Sequence, residues 1–338
     1  MRSYRWYRTA AAGVVALCIA LMVHGPARAQ AQPDDGILTL QFENDFFGNT
    51  DQHFTHGTRL AWMAPEDQVP AWVKEGASYV PLFDAAGSKR IVYSLGQNIY
   101  TPDNIATRAP QPDDRPYAGW LYAGIGLVSV SGDQLDNLEL DVGVVGPHSY
   151  AEQVQTTWHR WFGFQRPQGW DNQLKDEPGI VLTYERKWRR WARLQAVGLD
   201  ADVTPHLGAS VGNVLTQAAA GFMVRIGGDL AQHYDYGPPR IRPSLPGSDF
   251  FTTTGGFGWY LFFGAEGRGV IHNIFLDGNS FRDSPSVDKL PFVADVQGGI
   301  AVIVGPVRLA YTHVFRTKEF HGQENGDQFG AVSISYRF

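Results

Sequence analysis

The segment that most constrains the fold is the last one, FGAVSISYRF. Gly330, Val332, Ile334, Tyr336 and Phe338 share one face of an extended strand, and Ala331, Ser333, Ser335 and Arg337 share the other. Successive strand side chains point to opposite faces, so one face suits lipid and the opposite one a polar lumen. The alternation recurs in LELDVGVV, where Leu138, Leu140, Val142 and Val144 oppose Glu139, Asp141 and Gly143. It recurs again in FVADVQGGIAVIV, where Phe292, Ala294, Val296, Ile300, Val302 and Val304 oppose Asp295, Gln297 and Gly299. Charges inside strands this apolar make sense only if they face a lumen. A soluble sandwich could also end on an alternating edge strand. A terminal phenylalanine after such alternation, however, resembles the signal read by outer-membrane barrel assembly machinery, which is therefore an expected partner.

The other end agrees. Arg2, Arg5 and Arg8 precede an unbroken apolar stretch from Ala10 to Val23 and then the small-residue site Ala27-Arg28-Ala29. That pattern predicts a signal peptide over 1–29, cleaved to leave a single barrel domain over 30–338. A retained anchor would need about 20 apolar residues. The only cysteine, Cys18, lies inside this segment, so the mature chain carries no thiol. Cleavage removes four arginines and no acid, which moves the formal net charge from −6 to −10. A chain so acidic is a poor nucleic-acid binder, and none is expected as a partner. No later stretch is apolar enough to span as a helix, while 13% of residues are aromatic and glycines number 38. Together these predict an all-β, transmembrane antiparallel β-barrel in the outer membrane of a Gram-negative bacterium, with the lipid bilayer as its surroundings.

Further candidate strands lie near 37–45, 55–63, 90–100, 118–130, 178–188, 191–203, 218–227, 256–277, 306–316 and 329–338. A barrel whose N-terminus is periplasmic sends its first strand outward and alternates thereafter. The segments 46–54, 101–117 and 146–176 are then external, and 64–90 is a long periplasmic excursion.

Four polar clusters fall at the outer end: residues 43–59, 97–104, 113–120 and 148–163. In the first, Asp45 closes an outward strand while Thr55 and Gly57 open the next. A carboxylate with hydroxyl and carbonyl oxygens beside it is a hard-oxygen environment that suits Ca²⁺. The same residue types also serve ordinary hairpin turns. In the last cluster, Ser149 followed by Glu152 reads as a capping box, which predicts a helix over 150–162 that stops at Gly163. Gln155 and His159 then share one face a turn apart, while Trp158 and Trp161 fall on other faces, suited to the rim or the headgroup layer. His159 reads both as a structural residue and as a general base.

ENDFF followed by TD and T-x-G, then YTPD, DRPYAGWLY and Q-x-x-x-H, resemble the outer-membrane lipid A 3′-O-deacylase family, most densely over 38–188. The resemblance implies a barrel of twelve strands and a Ca²⁺-dependent site between the barrel wall and an external helix. It also implies removal of the 3′-linked acyloxyacyl group from lipid A, so that lipopolysaccharide is the substrate. Asn44 and Asp45 match the family's site asparagine and aspartate. Thr55 falls in its T-x-G element, Gln155 and His159 match its helix pair, and Arg115 stands where a basic residue near the substrate is expected. Two positions depart: His56 replaces an expected asparagine, and Gln165 stands where an acidic partner for His159 is expected.

The expected chemistry is ester hydrolysis. Neutral His159 takes a proton from water, Ca²⁺ at Asp45 polarises the acyl carbonyl, and Asn44 donates to the oxyanion. One rival is an outer-membrane phospholipase, which needs a serine paired with a histidine. The chain offers only His148-Ser149, in a loop. The other rival is a non-enzymatic barrel, a pore or an adhesin, which leaves the outer clustering of polar motifs unexplained. Glu266 and Arg268 read as structural lumenal charges, and His313 as a strand residue without a role.

Overall fold

The structure, a computed structural model, describes residues 36–338 except 49–52, 80–82, 85–86, 197, 229, 231–232, 242 and 254–255. The signal segment 1–29 lies outside the described residues. Strands β1 (Ile37–Asn44), β2 (His53–Met63), β3 (Ser88–Thr101), β4 (Ala118–Ser131), β5 (Gln134–Val145) and β6 (Glu177–Trp188) come first. A short β7 (Ala192–Ala196) leads into β8 (Leu199–Gly212) and β9 (Leu215–Gly228). A small pair, β10 (His233–Asp235) and β11 (Phe251–Thr253), precedes β12 (Phe257–Asn273), β13 (Phe292–Val304), β14 (Val307–Arg316) and β15 (Asp327–Arg337). Pairing is antiparallel throughout. β1 runs against β15 from Ile37↔Arg337 to Asn44↔Gly330, and β6 against β8, so the sheet closes on itself. Twelve strands make the wall, with β7 extra.

The alternation read from the sequence is the wall's two faces. Leu38, Leu40, Leu60 and Trp62 are exposed on the membrane side, as are Leu140, Val142, Val296 and Ile300. Thr39, Arg59, Glu139, Asp141, Asp295, Ser333 and Ser335 are buried on the lumenal side. Lumenal charges are paired: Asp295 accepts from Arg268 and Arg316 at 2.9 Å, and Arg268 also reaches Glu266 at 3.1 Å. Pairing is obligatory there, because an uncompensated charge out of water costs several kcal/mol. No helix among the described residues is long and apolar enough to cross a membrane.

Two local expectations are corrected, and a third, the ordered excursion, is given its form. The single strand expected over 191–203 is two, β7 and the start of β8, with Gly198 at φ 77° in the turn between them. The strand expected over 256–277 ends at Asn273, whose side chain accepts from Phe275 N and caps a helical turn, Ile274–Asp277. The excursion over 64–90 contains a helix, α1 (Ala71–Ser78).

The lumen is filled, by a segment that no sequence motif marks. The segment between β9 and β12 folds into the barrel, where Tyr236, Ile241, Leu245 and Phe251 are buried. Arg59 bonds Asp249 at 3.1 Å, Arg308 bonds Asp235 at 2.9 Å, and Arg240 bonds Glu43 at 3.0 Å. Gly247 N donates to Glu185 at 2.8 Å. Wall and plug are thus one hydrogen-bonded body.

Candidate active site

At the end of the barrel where β1 finishes and β2 begins, α2 (Ala151–Phe162) lies against β3 and β4. Its start is not the expected capping box. Tyr150 occupies the N-cap position in the left-handed region at φ 59°, with no side-chain cap. Ser149 is buried and its Oγ donates back to Gly146 O at 2.6 Å. The end is as expected, with Gly163 at φ 72° and its N–H on His159 O. Gln97 Nε2 of β3 donates to Ser149 O at 2.6 Å, and Ala151 packs with Ile99, Ile105, Tyr117 and Trp170. The approach is so close that a Cβ on Gly119 would sit 2.1 Å from Ser149 Oγ and 2.3 Å from the Ala151 Cβ.

Between α2 and the wall is a cavity of about 340 Å³. Phe42 and Thr58 line it from the same strand faces that present Leu38, Leu40 and Leu60 to the membrane, so the cavity lies on the bilayer side of the wall, not in the lumen. Asn44, Asp45, Thr55, Gln155 and His159 all line it. Sequence-distant polar clusters therefore converge here. Phe46, Ile99, Val154 and Phe164 supply an apolar lining, joined by Trp158. Trp158 packs on Phe42 with ring centroids 5.5 Å apart, whereas Trp161 is exposed.

His159 is oriented by the backbone. Its Nδ1 meets the carbonyl of Gln165, which occupies the position where an acidic partner was expected. A carbonyl oxygen can only accept, so Nδ1 carries the proton and the neutral ring has its lone pair on Nε2. Asn44 shapes the turn: its Nδ2 donates to Thr55 O at 2.7 Å, while its Oδ1 accepts from Phe46 N at 2.9 Å. Thr55 sits in a bulge between Phe54 and His56, its Oγ1 2.7 Å from Thr101 Oγ1. His56 lines the cavity, and its Nε2 lies 2.8 Å from Thr58 Oγ1.

Two expected site residues are elsewhere. Gly57 is on the lumenal side, where an added Cβ would meet Phe54 at 2.9 Å and Ile241 at 3.2 Å. Arg115 is buried over the Tyr100 ring and donates to Glu319 at 2.8 Å. Burial works against an ionised Glu319, but Arg115 and then Arg316 outweigh it and hold the carboxyl below its usual range. Arg115 therefore ties together two outer loops and does not line the cavity.

Among the described residues no group of three or more His, Cys, Asp or Glu could hold a metal. The residues lining the cavity instead include one carboxylate, Asp45, and two further oxygen-bearing residues, Asn44 and Thr55, whose oxygens also take part in the bonds above. An all-oxygen set of this kind fits Ca²⁺ and not a thiolate- or imidazole-seeking ion.

The model of the family described as outer membrane protein LpxR matches residues 14–338. The chain belongs to the LpxR family. This is the lipid A deacylase family that the motifs resemble, and the protein is an outer-membrane barrel of a Gram-negative bacterium. No curated protein matches the chain. Among solved structures, LpxR from Salmonella typhimurium is 21% identical with a TM-score of 0.70, over 89% of this chain and 100% of that one. That likeness shows a shared barrel fold. The β domain of the Bordetella autotransporter Brka has 9% identity and a TM-score of 0.41, over 90% of this chain and 99% of that one. Within this LpxR-family chain, then, five of the expected site residues meet at one cavity, while Gly57 and Arg115 stand apart.

Proposed function

We propose that the chain is a Ca²⁺-dependent lipid A 3′-O-deacylase that hydrolyses the 3′-linked acyloxyacyl ester in the outer leaflet. The observation that carries the reading is the placement of His159, Gln155, Asn44 and Asp45 around a cavity on the bilayer side of the wall. A lipid reaches such a cavity laterally, without leaving the leaflet. Phe42, Phe46, Val154, Trp158 and Phe164 offer its acyl chains an apolar surface.

His159 Nε2 takes a proton from water, and the water oxygen adds to the acyl carbonyl carbon. The tetrahedral intermediate then expels the sugar oxygen, which recovers the proton from the imidazolium. The products are a free carboxylic acid and a 3′-hydroxyl. Asp45, with Asn44 and Thr55 oxygens, would hold Ca²⁺, which when bound supplies Lewis-acid polarisation of the carbonyl. Asn44 also keeps the turn that carries Asp45 in shape through its bonds to Thr55 and Phe46.

A serine-based phospholipase fits less well, because no serine is among the described residues lining the cavity. A pore is disfavoured by the plug that Arg59, Arg308 and Arg240 bind inside the lumen. The test is mass spectrometry of lipid A incubated with the purified protein and Ca²⁺. Loss of the 3′ acyloxyacyl mass is expected, abolished by chelator and by Asp45→Ala. Undiminished hydrolysis in excess chelator would remove the metal assignment, and unchanged lipid A would remove the activity.

A further inference from the structure

Trp170, which none of the sequence motifs contains, makes a bond that decides which way the Gln155 side chain works. Its indole Nε1 donates to Gln155 Oε1 at 2.9 Å, and both residues are buried, at 2% and 3% exposure. An indole N–H can only donate. The amide oxygen therefore faces Trp170, and Nε2 is the end of the same amide turned away from the indole. Nε2 is buried and has no hydrogen-bond partner among the described residues. A buried donor without an acceptor is unfavourable, so the orientation persists because the indole bond and its packing enforce it. The indole is itself held: Trp170 packs on Tyr117 with centroids 4.9 Å apart, and the Tyr117 hydroxyl donates to Ile105 O at 3.3 Å.

Gln155 lines the cavity one helical turn from His159. We propose that Trp170 is a positioning residue that locks the Gln155 amide with its N–H₂ toward the reacting carbonyl, making Gln155 Nε2 a preorganised oxyanion donor. The inference rests on the hydrolytic reading above and adds a role for Gln155 and a residue not assigned to the site. As water adds to the carbonyl carbon, the carbonyl oxygen gains the electron pair of the π bond, and the Nε2–H bond to it strengthens. Preorganisation matters because a donor already aimed at the developing charge pays no reorientation during the reaction. Without the indole, the amide could present its oxygen instead, which would repel the oxyanion.

The experiment is a double-mutant cycle in the full-length protein with Ca²⁺ and lipid A. Trp170→Phe keeps an aromatic ring beside Tyr117 and deletes the indole donor, and Gln155→Met keeps the approximate shape and deletes the amide. Gln155→Met is expected to lower kcat by about 10²–10³-fold, the usual cost of an oxyanion donor. Trp170→Phe should lower kcat by about tenfold with KM unchanged, and should have no further effect in the Gln155→Met background. A residue that merely stabilised the fold would show costs that add. Slow hydrogen exchange at the Trp170 indole N–H, lost in Gln155→Met, reads the lock without any turnover. Trp170→Phe at wild-type kcat, additive costs, or an indole proton that exchanges freely in the wild type would each overturn this role alone. Wild-type protein that leaves lipid A intact would instead remove the hydrolytic reading and this role with it.

Discussion

A backbone carbonyl gives His159 the same fixed tautomer that a carboxylate would, but it cannot add a negative charge beside the imidazolium. The base therefore works by orientation. Replacing His159 with Ala should lower turnover by about 10²–10⁴-fold, whereas no single serine replacement should do so, because water and not a side chain attacks. Mass analysis of the protein during turnover checks this: an acyl-serine adduct would sink the mechanism. Gln155 and His159 were legible in the sequence because a four-residue spacing puts them on one helix face whatever the surroundings. Thr55 and Gly57 pair in the sequence because both open the strand next to Asp45. The bulge between Phe54 and His56 breaks the regular alternation and leaves Gly57 in the lumen. Phe42 and Trp170 carry no chemical motif, so only the folded register brings them to the site.

The decisive element is α2, and its seat is a glycine. Any side chain on Gly119 would enter the space of Ser149 and Ala151, so the helix start must lift. Gly119→Ala is expected to leave a folded, heat-modifiable barrel in the outer membrane while cutting turnover at least about tenfold. Small displacements of a positioned base are that costly. Full activity in this variant would mean that the seat of the helix does not matter. The helix and its Gly163 stop were legible from periodicity and residue type. Its cap was not, because Gly146 turns the chain at φ 102° and the Ser149 hydroxyl donates to the Gly146 carbonyl and does not accept from a helix N–H. The β7–β8 turn was hidden for a different reason, since a hairpin marked only by Gly198 leaves the apolar pattern on either side continuous.

For the whole molecule, the alternation of β13 and β15 was enough to announce the barrel, but the plug could not be read. Its partners lie far along the chain, as with Arg240 and Glu43, and its prolines at 238, 239, 243 and 246 suggest only a loop. Yet it binds the wall through buried ion pairs. Arg308→Ala would leave the carboxylate of Asp235, at 0% exposure, to Tyr260 OH, Gly237 N and the nearby charge of Arg225, a loss of at most about 3–5 kcal/mol, and the folded band on a heat-modifiability gel should unfold at lower temperature. Unchanged thermal behaviour would show that the pair is dispensable. The cavity's position on the bilayer side of the wall sets the kind of concentration the protein responds to. A site that opens into a leaflet meets its substrate in two dimensions, so its rate should follow the mole fraction of lipid A in the interface. Adding inert detergent to mixed micelles at constant bulk lipid A should slow hydrolysis by surface dilution, although nothing has been removed from the tube.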